Sequence, residues 1–187
     1  QLPGQKVRQI PLTIDTSAHV TIDSEDAGSP PDENHSRQFR IGYFARVCPE
    51  KGVQNLLAAA ADVLPDAPHA EIAIAGYLPD QHKRWFHRLL RKSQDRFPDR
   101  IHWLGSPDER SDKFRMISSF DVLCVPTEYR EPKGLYVLEA GLCGVSSVLP
   151  EHGDPLPLPR HPARRARLVD KPQALHRADL EPALAPR

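Results

Sequence analysis

The chain carries no excess of charge of either sign. Lys and Arg together number 25, and Asp and Glu together also number 25, in 187 residues. A balanced total leaves no broad positive footprint for nucleic acid, so no nucleic-acid partner is expected, although local positive patches stay open. Nor is there an uninterrupted apolar run of about 18 residues, the length that would cross a bilayer. The opening, QLPGQKVRQIPL, lacks the charged-then-apolar design of a secretory leader. It also lacks an initiating Met, which sets the expectation of a fragment or processed chain. Cysteine is scarce: Cys48, Cys124 and Cys143 make an odd set with no C-x-x-C. Cys124 and Cys143 sit in apolar runs, where buried free thiols are common. A reducing, cytoplasmic setting is therefore expected rather than a disulfide framework. No internal repeat is visible.

What is there begins to be regular at Phe39. FRIGYFARV reads as a strand and GVQNLLAAAADVL as a helix with Val53, Leu56, Leu57 and Ala60 on one face. HAEIAIAGY reads as a strand. PDQHKRWFHRLLRKSQDRF reads as an amphipathic helix, with Trp85, Leu89 and Leu90 on one side and Lys83, Arg84, Arg88, Arg91 and Lys92 mostly on the other. RIHWLG is a third strand and SPDERSDKFRMISSF a third helix, with Ser106 or Asp108 as its expected N-cap. DVLCVPT, GLYVLEAGLC and VSSVLP then read as strand, helix and strand. Strands such as IAIAG and VLCV are continuously apolar, as suits a sheet covered by helices on both faces. The expected fold class is α/β, a Rossmann-like, doubly wound parallel sheet. Ligands in such sheets bind beyond the carboxyl ends of the strands, which directs attention to ARVCPEKG, GYLPD, GSPDE, PTEYREPKG and PEHG.

Both ends depart from this pattern. KVRQIPLTID could form a short strand, and residues 23–37 are polar with adjacent prolines, the composition of a loop or linker. Residues 152–187 hold seven of the 20 prolines and no Phe, Tyr, Trp or Ile. DPLPLPRHPARRAR has neither helical nor strand period, and its missing N–H donors exclude a central strand. A helix around Pro172 to Leu184 is conceivable. The tail is either a flexible extension or the result of a changed reading frame. Three segments are thus expected: 1–37, a linker strand and polar loop; 38–151, the Rossmann-like domain; and 152–187, an atypical Pro- and Arg-rich tail.

Two strand-end segments carry candidate chemistry. In ARVCPEKG, Arg46 ends the first strand and Lys51 stands just before Gly52 and the first helix. Two cations beside a helix N-terminus suit a phosphate, since that terminus carries about half a positive charge and free N–H groups. Two exposed surface cations would look the same. In EYREPKGLYVLEAGLCGV, Gly134 permits close backbone approach, and the N–H groups of Gly134 and Leu135 would open a helix. Glu139 lies further along that helix; its carboxylate only accepts hydrogen bonds, so it suits a pair of sugar hydroxyls. Glu131 precedes the helix and could face a second polar group. A solvated helical Glu and a helix-start acid are the plain alternatives. Taken with Arg46 and Lys51, the set reads as a site for a nucleoside diphosphate joined to a sugar. His82 and His87, five apart, do not share a helix face as paired ligands would. The basic helix is either a solvated face or a peripheral contact with anionic lipid headgroups.

IGYFARVCPEKGVQNLLAAAADV, AIAGYLP and HWLGSPDERSDKFRMISSFDVLCVPTEYREPKGLYVLEAGLCGVSSVLPEHG together resemble the C-terminal half of a GT-B glycosyltransferase of family 4, also called glycosyl transferases group 1. The resemblance covers roughly residues 40–153, and EPKGLYVLE is its most specific piece. It implies that Arg46 and Lys51 grip the donor diphosphate and that Glu139 binds the donor ribose. It implies that Glu131, the candidate catalytic residue, lies close to the transferred sugar, with backbone from Lys133 to Leu135 around sugar and phosphates. Tyr77 or Leu78 and Ser106 would flank the base. Thr127 replaces a more usual Ser, Ala45 a usual Gly, Lys133 a common Phe and Ser146 a usual Pro. The family transfers a sugar from a nucleotide donor to a hydroxyl acceptor. Fixed positive charge would stabilise the leaving diphosphate in place of a metal, so no metal or other cofactor is expected. The family's N-terminal acceptor domain has no counterpart in this sequence. Two functions follow: a retaining, hexosyltransferase-type enzyme present as its donor-binding half and inactive alone, or a truncated, non-catalytic nucleotide-binding or interaction domain.

Overall fold

In the computed structural model the chain is described over residues 38–130, 134–150 and 168–169. The expected linker strand and polar loop, the helix around Pro172, and Glu131 and Lys133 lie outside the described residues. The first strand, β1, runs Phe39–Phe44, and helix α1 runs Val53–Val63. They are followed by β2 (Ala70–Ala75), α2 (Asp80–Arg96), β3 (Ile101–Trp103), α3 (Arg110–Ser118), β4 (Val122–Cys124), α4 (Leu135–Leu142) and β5 (Ser146–Pro150). All strand pairs are parallel, and the sheet order is β3-β2-β1-β4-β5, extended by β6 (Leu168–Val169). The alternation read from the sequence thus builds the expected Rossmann-like sheet. No strand was expected at Leu168; its pairing with Leu149 adds a short edge beyond β5.

The sheet is the centre of the core. Ile41, Tyr43, Ile72, Ile74 and Leu123 are fully buried. Each of the six residues of β2 is buried, which is why that strand reads as almost unbroken apolar sequence. Its one charged residue, Glu71, pairs with the Arg40 guanidinium on β1, while His102 Nε2 on β3 lies 3.2 Å from its other oxygen without a hydrogen bond. A buried carboxylate needs such partners, because desolvation without pairing is costly. Helix α1 buries Val53, Leu56, Leu57 and Ala60, the face its periodicity indicated. Helix α2 turns slightly from expectation. Phe86 and Leu90 are its buried residues, and Trp85 and Leu89 are half-buried beside them. The Phe86 ring meets Trp103 edge-on, with centroids 4.9 Å apart. The basic residues Lys83, Arg84, Arg88, Arg91 and Lys92 are exposed. Among the described residues no helix is long and apolar enough to cross a membrane.

Helix α3 starts later than expected. Its N-cap is Glu109, in extended conformation and without a side-chain capping bond, rather than Ser106 or Asp108. The cause is the sheet. Leu104 N–H donates to the Ile74 carbonyl (2.8 Å), and Gly76 N–H donates to the Gly105 carbonyl (2.9 Å). These bonds tie the chain to β2 and the residue after it, and Gly105 turns left-handed at φ 79°, so the path beyond β3 is not helical at Ser106.

Candidate functional site

The strand order reverses direction between β1 and β4: the chain proceeds outward from β1 to β3, then returns to β1's other side. Loops leaving a doubly wound sheet on either side of such a reversal diverge and open a crevice. The two helices that begin there are α1 and α4. Each is preceded by a left-handed glycine, Gly52 at φ 74° and Gly134 at φ 55°. Neither helix has a side-chain N-cap or an acidic residue in its first turn. Helices α2 and α3, by contrast, carry Asp80 and Asp112 there. Neither α1 nor α4 thus carries an acid of its own in its first turn, a condition that favours an anionic ligand, although the Glu128 carboxylate reaches Gln54 and Asn55 of α1 from the loop after β4.

The loops at the crevice are locked to one another. Pro49–Lys51 forms a single 3₁₀ turn closed by Gly52. A Cβ on Gly52 would stand 1.7 Å from the Pro126 carbonyl oxygen of the loop after β4. Thr127 Oγ1 donates to the Glu50 carbonyl (3.0 Å), and Glu128 N–H donates to the same oxygen (2.9 Å). The side-chain amides of Gln54 and Asn55 donate to Glu128 Oε1 at 2.6 and 3.0 Å. Thr127, noted in the sequence only as a replacement for Ser, keeps its hydroxyl at work here; it is 4% exposed.

Lys51 projects from this turn and is buried, at 8% exposure. Its Nζ lies 5.1 Å from the Tyr129 ring centroid and 5.2 Å from that of Tyr136 on α4. Both distances are within cation–π range, so the ammonium is held by aromatic faces belonging to two different segments. Arg46 stands at the end of β1 with an exposed side chain. Its backbone is fixed from beneath: the buried Tyr43 hydroxyl donates to the Arg46 carbonyl (3.1 Å). Burial pushes the Cys48 thiol above its ordinary value, which keeps it protonated and makes it a poor nucleophile. The cysteines are free; Cys48 and Cys124 are buried and Cys143 is half-buried.

On α4, Gly134 is buried and Leu135 is 37% exposed at the first helical position. Glu139 is buried, at 8% exposure, and not solvated. Its Oε1 accepts a 2.6 Å charge-assisted hydrogen bond from Lys113 Nζ on α3. Of the two residues expected beside a base, Tyr77 is 64% exposed in the loop after β2, and Ser106 is exposed after β3. The Val47 N–H donates to the Tyr77 carbonyl (2.8 Å), which ties that loop to the one bearing Arg46. Lys51 and α4 are thus brought together through Tyr136, and Arg46 and Tyr77 through neighbouring backbone. Glu131 and Lys133 lie outside the described residues. Among the described residues no three His, Cys, Asp or Glu side chains gather as a metal site.

Sequence reasoning missed Lys113, Tyr129 and Tyr136. The two tyrosines lie inside the stretch that drew attention, but ring-to-ammonium contact has no fixed spacing. Lys113 is separated from its partner by 26 residues and carries no local signal.

With this geometry in view, comparison with known proteins is informative. The family model described as glycosyl transferases group 1 matches residues 28–160. The chain belongs to the glycosyl transferases group 1 family. Similar solved structures include Anabaena HepE in complex with UDP and glucose, at 23% identity and a TM-score of 0.63, covering 79% of this chain and 38% of that one. The C-terminal domain of LpcC, a group 1 family protein from Francisella tularensis, is 19% identical with a TM-score of 0.62, covering 73% and 69%. Trehalose-6-phosphate synthase OtsA is 12% identical with a TM-score of 0.55, covering 63% and 30%. These likenesses are of fold: the group 1 chain has the C-terminal, Rossmann-like architecture of a GT-B glycosyltransferase. It spans 38% of the length of HepE. No curated protein matches it.

Proposed function

We propose that this chain is the donor-binding half of a glycosyltransferase that takes a sugar from a nucleoside diphosphate and passes it to a hydroxyl acceptor. The observation that carries the reading is the pair of glycine-capped, acid-free helix N-termini at the reversal of strand order, with Lys51 reaching from one to the other. The diphosphate sits against these N–H groups with Lys51 and Arg46. Glu139 meets the ribose hydroxyls, Tyr77 and Ser106 flank the base, and Gly134 and Leu135 line the sugar and phosphates together with Lys133. In the transfer, the bond from the anomeric carbon to the β-phosphate oxygen breaks, and the acceptor oxygen forms the new one. Negative charge grows on the diphosphate, where preorganised cations and N–H dipoles act most strongly. Glu131 is the catalytic candidate beside the sugar. Retention of configuration, transfer of a hexose and the absence of a metal requirement follow from the family resemblance. An N-terminal GT-B domain would supply the acceptor side, so the chain alone is expected to bind donor without transferring sugar. The proposed setting is the cytoplasmic side of the cell, with the basic face of α2 available to a membrane.

The test is calorimetric titration with UDP, GDP and ADP, beside Arg46→Ala and Glu139→Ala. Micromolar to low-millimolar binding of one nucleotide, weakened by both substitutions, supports the reading. Absence of binding by folded protein overturns it in favour of a truncated, non-catalytic interaction domain.

A further inference from the structure

The Lys113–Glu139 pair goes beyond the donor-site reading on which it rests. Glu139 presents a difficulty for that reading. A carboxylate can take two sugar hydroxyls, but it also places a negative charge near a ligand carrying two or three of its own. Glu139 lies five residues beyond Gly134, which is about 7.5 Å along the helix axis from the N-terminus proposed for the phosphates. That is inside a Debye length of about 8 Å, and Glu139 is buried, so solvent would screen the repulsion poorly.

The structure holds the remedy on a neighbouring helix. Lys113 of α3 reaches across to α4 and donates to Glu139 Oε1 at 2.6 Å. Both side chains are largely out of solvent, at 24% and 11% exposure. Among the described residues Oε2 takes no protein hydrogen bond, which leaves it and the second lone pair of Oε1 as acceptors. The pair is nearly neutral as seen from the phosphates, yet it keeps acceptor capacity for a diol.

We propose that Lys113 is a positioning residue of the nucleotide site: it neutralises Glu139 and fixes its orientation, so that a carboxylate can serve the ribose without repelling the diphosphate. The consequence is a selective one. Loss of the ammonium exposes the bound ligand to a negative charge, and only an anionic ligand responds strongly.

The experiment uses the full chain, the member of UDP, GDP and ADP that binds most tightly, and the matching nucleoside. Lys113→Met, which removes the charge and keeps the stem, is expected to weaken the diphosphate about tenfold while changing the nucleoside less than about threefold. Lys113→Arg, which keeps the charge, is expected to remain within about threefold of wild type for both. Melting curves check folding, and Lys113→Gln replaces Lys113→Met if the latter unfolds. An unchanged diphosphate affinity overturns the inference. So does an equal loss for diphosphate and nucleoside, which would remove the charge-neutralising role on which the inference stands. If wild type binds no nucleotide, the donor-site reading itself falls; if wild type binds and Lys113→Met is harmless, only the role of Lys113 falls.

Discussion

Helices α1 and α4 differ from α2 and α3 in a way their common packing against one sheet does not require. The first pair is apolar, begins at a left-handed glycine and carries no acid of its own in its first turn. The second pair is rich in charge, begins after an extended residue and carries an Asp in its first turn. All four cover the sheet, so burial alone does not separate them. Position does: α1 and α4 follow the two strands that flank the reversal of strand order. A helix start with an Asp in its first turn gains stability of its own. A start without an acid of its own is better suited to an anion from outside. The molecule is therefore divided less by layer than by the character of each helix end, and the contrast can be tested by trading features between the pairs.

The largest effect should come from the glycine that lets α1 start where it does. Gly52→Ala places a Cβ 1.7 Å from the Pro126 carbonyl at a φ of 74°. Gly105 has a similar φ of 79° but open space around it. Gly105→Ala should cost about 1–2 kcal/mol, the strain of the left-handed region alone. Gly52→Ala should cost about 4 kcal/mol or more, because the loop after β4 must also move. Urea unfolding of the two variants measures the difference, and equal losses would show that the close approach is unimportant.

Next in size is a comparison of lysines. Lys51→Ala removes the buried ammonium from between its two tyrosine rings and should weaken nucleoside diphosphate binding by tenfold or more, or about 1.4 kcal/mol. Lys83→Ala removes an exposed cation paired with Asp80 and should change affinity less than about twofold. Tyr136→Leu should fall between the two, weakening binding about threefold through loss of the cation–π contact, while Tyr136→Phe preserves it. Titration of the four variants with one nucleotide orders them.

A direct trade comes third. Leu135→Asp gives α4 the first-turn acid that α2 and α3 possess. The helix should gain about 0.3–1 kcal/mol by the dipole effect, while diphosphate affinity drops about tenfold because the same carboxylate competes with the ligand. A rise in melting temperature together with a fall in affinity is the expected signature. A loss of both would mean that Leu135 matters through its apolar contact instead.

The smallest effect concerns Asp80. Lys83 donates to its carboxylate and holds its pKa below the ordinary value. A depressed folded-state pKa means that the stabilisation is present above the unfolded value near 3.9 and fades as pH falls through the folded one. Asp80→Asn should therefore melt slightly below wild type near neutral pH and match it once the pH has fallen below the folded-state pKa. A difference that persists in acid would assign the role of Asp80 to something other than its charge.

Much of this architecture was legible in the chain. The apolar runs of β2 and β4 announced buried parallel strands, and the spacing of Val53, Leu56, Leu57 and Ala60 set the buried face of α1. Where the reading slipped, a neighbouring element had intervened. Ser106 is a good capping residue by type, but the bonds of Leu104 to Ile74 and of Gly105 to Gly76 tie that segment to β2 and its end, with Gly105 left-handed. Phe86 displaced Trp85 from the centre of the α2 face because the ring of Trp103 stands opposite it. For the candidate site, the sequence marked Arg46, Lys51, Gly134 and Glu139 through their relation to strand and helix ends, which is local information.

The sequence by itself determined the alternation of strands and helices, the glycines at two helix starts and the family to which the chain belongs. These rest on period, backbone freedom and short spacing, all of which are written along the chain. Tertiary structure alone decided that Lys51 lies between Tyr129 and Tyr136, that Thr127 secures the turn before α1, and that Glu139 is paired with Lys113. Those contacts join residues whose spacing in sequence is arbitrary. Only the order of the strands brings them within reach, and only burial makes their charges matter.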